Sequence, residues 1–110
     1  MIVKSSLTLS VTTAGVPQRA VSSSTPCAQV FFQNPPGNTG NVVIKTPAGN
    51  VIAWLAPGSG DNAAGNSLPG ESYDEGLAAP STGNIFDLHD YLFDVEVNGE
   101  SVQVTYGAHV

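Results

Sequence analysis

Glycine and proline interrupt this chain so often that the apolar runs between them have room for short strands and little else. Twelve Gly and eight Pro are scattered without period through 110 residues. Turn residues recur about every eight to twelve positions, the spacing of an all-β sandwich. Thirteen Val against two Lys add the β-branched bias that suits a pleated surface. Leu, Ile, Val and Phe make 28 residues, above the roughly one-fifth share below which chains tend to stay disordered. The length suits one core rather than two, so residues 1–110 read as a single domain.

Along the chain, Val3, Leu7, Leu9 and Val11 alternate with Lys4, Ser6, Thr8 and Ser10, the pattern of a half-buried strand. A second short strand is expected over residues 19–23. Residues 27–33 are apolar on both faces and predict a central strand covered on each side. Residues 41–45 and 51–55 flank a Thr-Pro-Ala-Gly-Asn loop and predict an antiparallel hairpin. Residues 57–68 read as a long surface loop, and residues 71–74 as a short strand after Pro69-Gly70. Finally, Tyr91, Phe93, Val95 and Val97 share one face, Asn98-Gly99 suits a type I′ turn, and Val102, Val104 and Tyr106 resume the alternation. This predicts a hairpin over residues 91–106, with Asp94, Glu96 and Glu100 on its wet side. Seven or eight such strands imply an all-β fold, a mostly antiparallel β-sandwich of jelly-roll type.

Charge is divided unevenly. All nine acids lie between Asp61 and Glu100, whereas Lys4, Arg19 and Lys45 precede residue 46. A net charge of −6 opposes binding to a phosphate backbone, which depends on Lys and Arg, so nucleic acid is not an expected partner. No apolar run approaches the ~20 residues of a membrane span, and the first ten residues read as a strand rather than a secretion signal. A cytoplasmic site of synthesis follows as the default. A single cysteine, Cys27, rules out an intramolecular disulfide.

Catalytic chemistry has few candidates. Cys27, His89 and Asp87 are the one set that might supply a nucleophile, a base and an orienting acid, but any chain with one Cys and two His offers as much. A small buried cysteine is the simpler reading. Asp87, His89, Asp90 and Asp94 offer metal donors, but in an extended segment they split between two faces. No catalytic residue, metal or cofactor is expected. Trp54, Tyr73, Tyr91 and Tyr106 could stack on sugar rings. Tyr91 and Tyr106 fall on an apolar face, which favours the core for them, and Trp54, alternating with Ala53 and Leu55, is the candidate exposed aromatic.

Several segments in order then carry a resemblance: Thr25-Pro26-Cys27-Ala28-Gln29-Val30, the turn 37–42, Leu68-Pro69-Gly70-Glu71-Ser72-Tyr73, Phe86-Asp87-Leu88, and Asn98-Gly99 followed by Glu100-Ser101-Val102-Gln103-Val104-Thr105-Tyr106. The series resembles small virion proteins of tailed bacteriophages, and its length and β character resemble the capsid decoration (cement or staple) proteins of short-tailed phages. The resemblance implies a jelly-roll sandwich, made in the bacterial host cytoplasm, that binds the major capsid protein on the capsid exterior. It also implies a homodimer on the shell that clamps capsomers and performs no reaction. It supplies no invariant site. The charge division suggests that Lys4, Arg19 and Lys45 contact the capsid while the acidic half faces solvent; the opposite orientation, acids toward a basic capsid ridge, is the alternative placement, since steering works with either sign. A carbohydrate-binding module, or a phage head or tail accessory protein, is the alternative.

Overall fold

The structure, a computed structural model, describes residues 1–61, 63–78 and 82–110. It contains nine strands, β1 (Ile2–Ser10), β2 (Pro26–Cys27), β3 (Gln29–Gln33), β4 (Val42–Lys45), β5 (Val51–Leu55), β6 (Ser72–Glu75), β7 (Phe86–Asp87), β8 (Leu92–Val95) and β9 (Ser101–His109), with a 3-10 turn at Leu88–Asp90 before β8. A four-stranded sheet runs β1-β9-β3-β6 and a three-stranded sheet runs β5-β4-β8, while β2 and β7 form a separate short pair. Every pairing is antiparallel. Beyond β8, Gln18 forms an isolated bridge to Phe93 through two backbone bonds of 2.9 and 2.8 Å.

Alternation decides which side chains meet. Val30, Phe32, Val102 and Val104 of the four-stranded sheet and Val42, Ile44, Phe93 and Val95 of the three-stranded sheet belong to one buried cluster, with Cys27, Leu88 and Tyr91. Phe32 sits at its centre. Its ring meets Phe93 edge-on at 4.8 Å and Tyr91 at 5.0 Å, and stacks on Tyr73 at 6.2 Å. Burial of these side chains supplies the main drive to fold.

Just past Phe32, the fully buried Asn34 ties the layers together. Its Nδ2 donates to the carbonyls of Gly40 (3.0 Å) and Leu55 (2.9 Å), and its Oδ1 accepts from Asn38 Nδ2 (2.9 Å). Asn38 in turn bonds the backbone of Ser101 in both directions, donating to its carbonyl and accepting from its N–H. The tight turn beside this network needs Gly70, where a Cβ would lie 2.3 Å from the Ala56 carbonyl.

The hairpin of β4 and β5 forms as its Pro-Ala-Gly loop implies, with a register shift at Ile44/Lys45. The strand expected over residues 71–74 is β6, one residue later. The loop expected over residues 57–68 carries an Asp61–Ser67 bridge, and its residue 62 lies outside the described residues. Three expectations need correction. Residues 19–23 form no strand; the preceding Gln18 bridges to Phe93 by its backbone, and Ala20 and Val21 pack against the core. The run 27–33 breaks at Ala28 into β2 and β3, and no second layer covers the outer side of β3 among the described residues. The hairpin over residues 91–106 does not exist: β8 pairs with β4, and β9 pairs with β1 and β3. Only Gly99 has positive φ (+81°), so a type I′ turn, which needs two such residues, is absent. Glu100 N–H instead closes a tight turn onto the Val97 carbonyl at 3.2 Å, and the chain steps from one sheet to the other.

Candidate functional site

The outer side of the four-stranded sheet is the broadest regular surface of the molecule, and its composition follows from the register. Side chains of Ser6, Thr105, Phe31 and Asp74 form one row across β1, β9, β3 and β6, and Thr8, Gln103, Gln33 and Ser72 form the next. Ser6 Oγ and Thr105 Oγ1 lie 2.9 Å apart, and Thr8 Oγ1 donates to Gln103 Oε1 at 2.9 Å. Neighbouring hydroxyls and amides thus satisfy one another, which lowers the cost of removing water from this face. Lys4 stands at one end, where it lines a cleft of about 180 Å³ with Phe31, Thr105 and Leu77. Between Lys4 and Gln29 lies Gly107. A Cβ there would meet Gln29 Cγ and Ile2 Cγ2 at 2.8 Å, so glycine is what lets those side chains close over the strand.

The acids prove to be structural. Five of the nine accept backbone N–H groups from earlier parts of the chain. Glu100 binds the amides of Thr39 (2.7 Å) and Gly40 (3.0 Å), Glu96 that of Asn41 (2.8 Å), and Glu71 that of Ala56 (2.8 Å). Asp94 binds Gly15 N at 2.9 Å, and Asp87 binds Thr25 N at 2.7 Å and His89 N at 3.0 Å. The expected wet face holds for Glu96, which is exposed, and in part for Glu100, and is corrected at Asp94. Asp94 is only 5% exposed, and the other two clamp the loop before β4. Turn amides in the early part of the chain stand in for the missing cations, since an N–H aimed at a carboxylate makes a charge-assisted hydrogen bond. The charge pattern could not reveal this, because backbone donors leave no trace in composition. The Asn34–Asn38 pair was equally hidden, since both residues read as turn formers.

The three basic residues lie apart. Lys4 is on the outer side of the four-stranded sheet, Arg19 donates from Nε to the His89 carbonyl (2.8 Å), and Lys45 lies on the outer side of the three-stranded sheet, paired with Asp94 at 3.3 Å. They do not form one patch. Trp54 is 56% exposed on the edge strand β5, opposite Val43. The other aromatics named as stacking candidates do not join it, since Tyr91 is buried and Tyr73 and Tyr106 are half-buried against the core.

Cys27, His89 and Asp87 are close in the fold but are not arranged for nucleophilic chemistry. Cys27 pairs with Phe86 between β2 and β7 and is fully buried. Burial pushes its thiol up to about 11, the Asp87 charge adds to this, and a hydrogen bond with the Leu88 backbone opposes both. The carboxylate of Asp87 is engaged by Ser24 Oγ (2.5 Å) and the two backbone amides, which hold its pKa below the usual range. It caps the 3-10 turn instead of orienting an imidazole. The folded thiol should therefore resist iodoacetamide at pH 8 and react at the free-cysteine rate only once unfolded, because the thiolate is the nucleophile. Because the folded pKa is raised, the protonated thiol favours the fold below about pH 9 and this contribution fades between 9 and 11. Fast alkylation of the native protein would contradict the buried placement. Among the described residues, no group of three or more His, Cys, Asp or Glu is placed to hold a metal ion.

No family model, curated protein or solved structure matches the chain.

Proposed function

We propose that the protein is a structural virion component that binds the outside of a phage capsid and stabilises contacts between capsomers, with the major capsid protein as its partner. The observation that carries this reading is the outer side of the four-stranded sheet, a regular hydroxyl and amide surface with few charged side chains, Asp74 at its β6 edge and Lys4 on β1. Such a surface can be brought against another protein without stripping water from many charges. The strand order supports the jelly-roll form of the fold: β1-β9-β3-β6 faces β5-β4-β8 with Gln18 added beyond β8, so first and last strands are neighbours, as in two interleaved Greek keys. A clamp of this kind stabilises the assembled state by binding it, and many weak contacts on one shell add through avidity.

The test is co-sedimentation with shells of the cognate capsid protein. Thr105→Glu and Gln103→Glu place carboxylates in the centre of the face and should lower occupancy by about tenfold or more. Lys45→Gln, which alters the opposite sheet, should leave occupancy unchanged. Equal binding by all variants would sink this orientation. A second reading, a carbohydrate-binding module, is favoured by the exposed Trp54, which is suited to stacking on a sugar ring. Under it, Trp54→Ala abolishes glycan-array signals and the face variants do not.

A further inference from the structure

We infer that the free edge of β1 is where a second copy of this chain pairs, antiparallel, across a two-fold axis at Ser6. The inference goes beyond the capsid-binding reading above and is tested on the isolated protein, so its failure leaves shell binding to be decided separately.

Natural sheets blunt their edges with charge, proline, bulges or short length. The other edges here do so. β6 is four residues long and carries Asp74 and Glu75, β5 has a register shift against β4, and the outer side of β8 is occupied by Gln18. In contrast, β1 runs nine residues in unbroken register with β9, has no proline, and carries one charge, Lys4. No described segment pairs with its outer side.

The backbone fixes which groups are on offer. Val110 N–H bonds the Met1 carbonyl and Val11 N–H bonds the Glu100 carbonyl, so the odd residues of β1 face β9. Alternation in an antiparallel ladder then aims the N–H and C=O of Ile2, Lys4, Ser6, Thr8 and Ser10 at the open side. A two-fold axis at Ser6 pairs all nine residues. It sets Lys4 opposite Thr8 of the second copy and Ile2 opposite Ser10 of the second copy. An axis at Lys4 would oppose two ammonium groups directly, which disfavours it. An axis at Thr8 runs the pairing past Ser10 to where the chain leaves the sheet.

Two observations favour a second copy over an unrelated strand. Val3 is 47% exposed although its parity is that of the core-facing Leu7 and Leu9, and the Ser6 axis lays it against Leu9 of the second copy. In addition, β1 contains none of the nine acids, so this edge lets two chains of net charge −6 meet without opposing carboxylates at the seam. The product is one eight-stranded sheet with a doubled polar face.

Sedimentation equilibrium of the free protein up to millimolar concentration should show a species of twice 11.3 kDa. Ser6→Pro removes an outward N–H without removing a backbone bond to β9 and should weaken association by about tenfold or more, whereas Ser6→Ala, which removes only the hydroxyl contact with Thr105, should not. Thr8→Glu places a carboxylate against Lys4 and should tighten association, whereas Thr8→Lys should loosen it. These opposite shifts report the register even if Ser6→Pro fails to fold. Amide exchange at Lys4, Ser6 and Thr8 should slow with concentration while Val3 and Ser5 stay unchanged. A monomer at millimolar concentration, or Thr8→Glu and Thr8→Lys shifting affinity in the same direction, overturns the inference.

Discussion

Replacing Asn34 by leucine is expected to cost about 3–5 kcal/mol, because each buried polar group stranded without a partner costs about 1–3 kcal/mol. The substitution strands the carbonyls of Gly40 and Leu55 and removes the acceptor for Asn38 Nδ2; Asn34 is fully buried and its bond to Leu55 lies in the interior. The added apolar volume cannot compensate, since the cavity is shaped by backbone carbonyls. Asn38 would also loosen from Ser101, so the start of β9 should lose protection in amide exchange together with the loop before β4. Urea unfolding measures the loss. A domain of this size has about 5–15 kcal/mol in total, so the variant should sit near the edge of folding at 37 °C. A change below about 1 kcal/mol would mean that the network is not a joint of the fold.

Phe32→Ala should cost a similar amount, about 3–5 kcal/mol, through lost burial and the cavity left behind. Among the described residues, Phe32 is the one whose ring meets three others, Tyr73, Tyr91 and Phe93. Phe32→Leu separates the causes. It retains most of the apolar volume and loses the ring pairs, worth about 0.5–1.5 kcal/mol each. The difference between the two variants in urea midpoint, at unchanged slope, therefore reads the cavity, and the remaining loss reads the rings. If leucine proved as damaging as alanine, shape rather than volume would control this core.

Much of the local structure was legible in the residues. Alternation in residues 3–11 and 91–97 set Leu7, Leu9, Val11, Tyr91, Phe93 and Val95 toward the core, while Val3 and Val97, at the ends of the two patterns, stay exposed; Pro47 to Asn50 marked a real hairpin. Alternation, however, states which face a residue takes and not which strand lies beside it. Thus Asn98-Gly99 looked like the tip of a hairpin, whereas Gly99 N–H bonds Val11 and draws the chain toward β1, 88 residues earlier in sequence. The same limit hid the candidate surface. Ser6, Thr8, Gln103 and Thr105 are unremarkable as letters and become one face only through the β1–β9 register. Trp54 was singled out in the sequence as a candidate exposed aromatic, and its 56% exposure follows from its place on the edge strand β5, which the letters of an all-apolar run do not show.

That register also sets the order of events during synthesis. Ser6 and Thr105 are 99 residues apart, so β1 leaves the ribosome about 5–20 s before its sheet neighbour β9 exists, at ordinary elongation rates. Through that interval both sides of β1 are unpaired, and the amides later held by Glu96 and Glu100 are still bound to water. Nascent chains should stay protease-sensitive until translation is nearly complete, and crowded polysomes would favour pairing between neighbouring nascent β1 segments. Expression at low temperature and low induction should therefore raise the soluble yield more than any change to the mature surface.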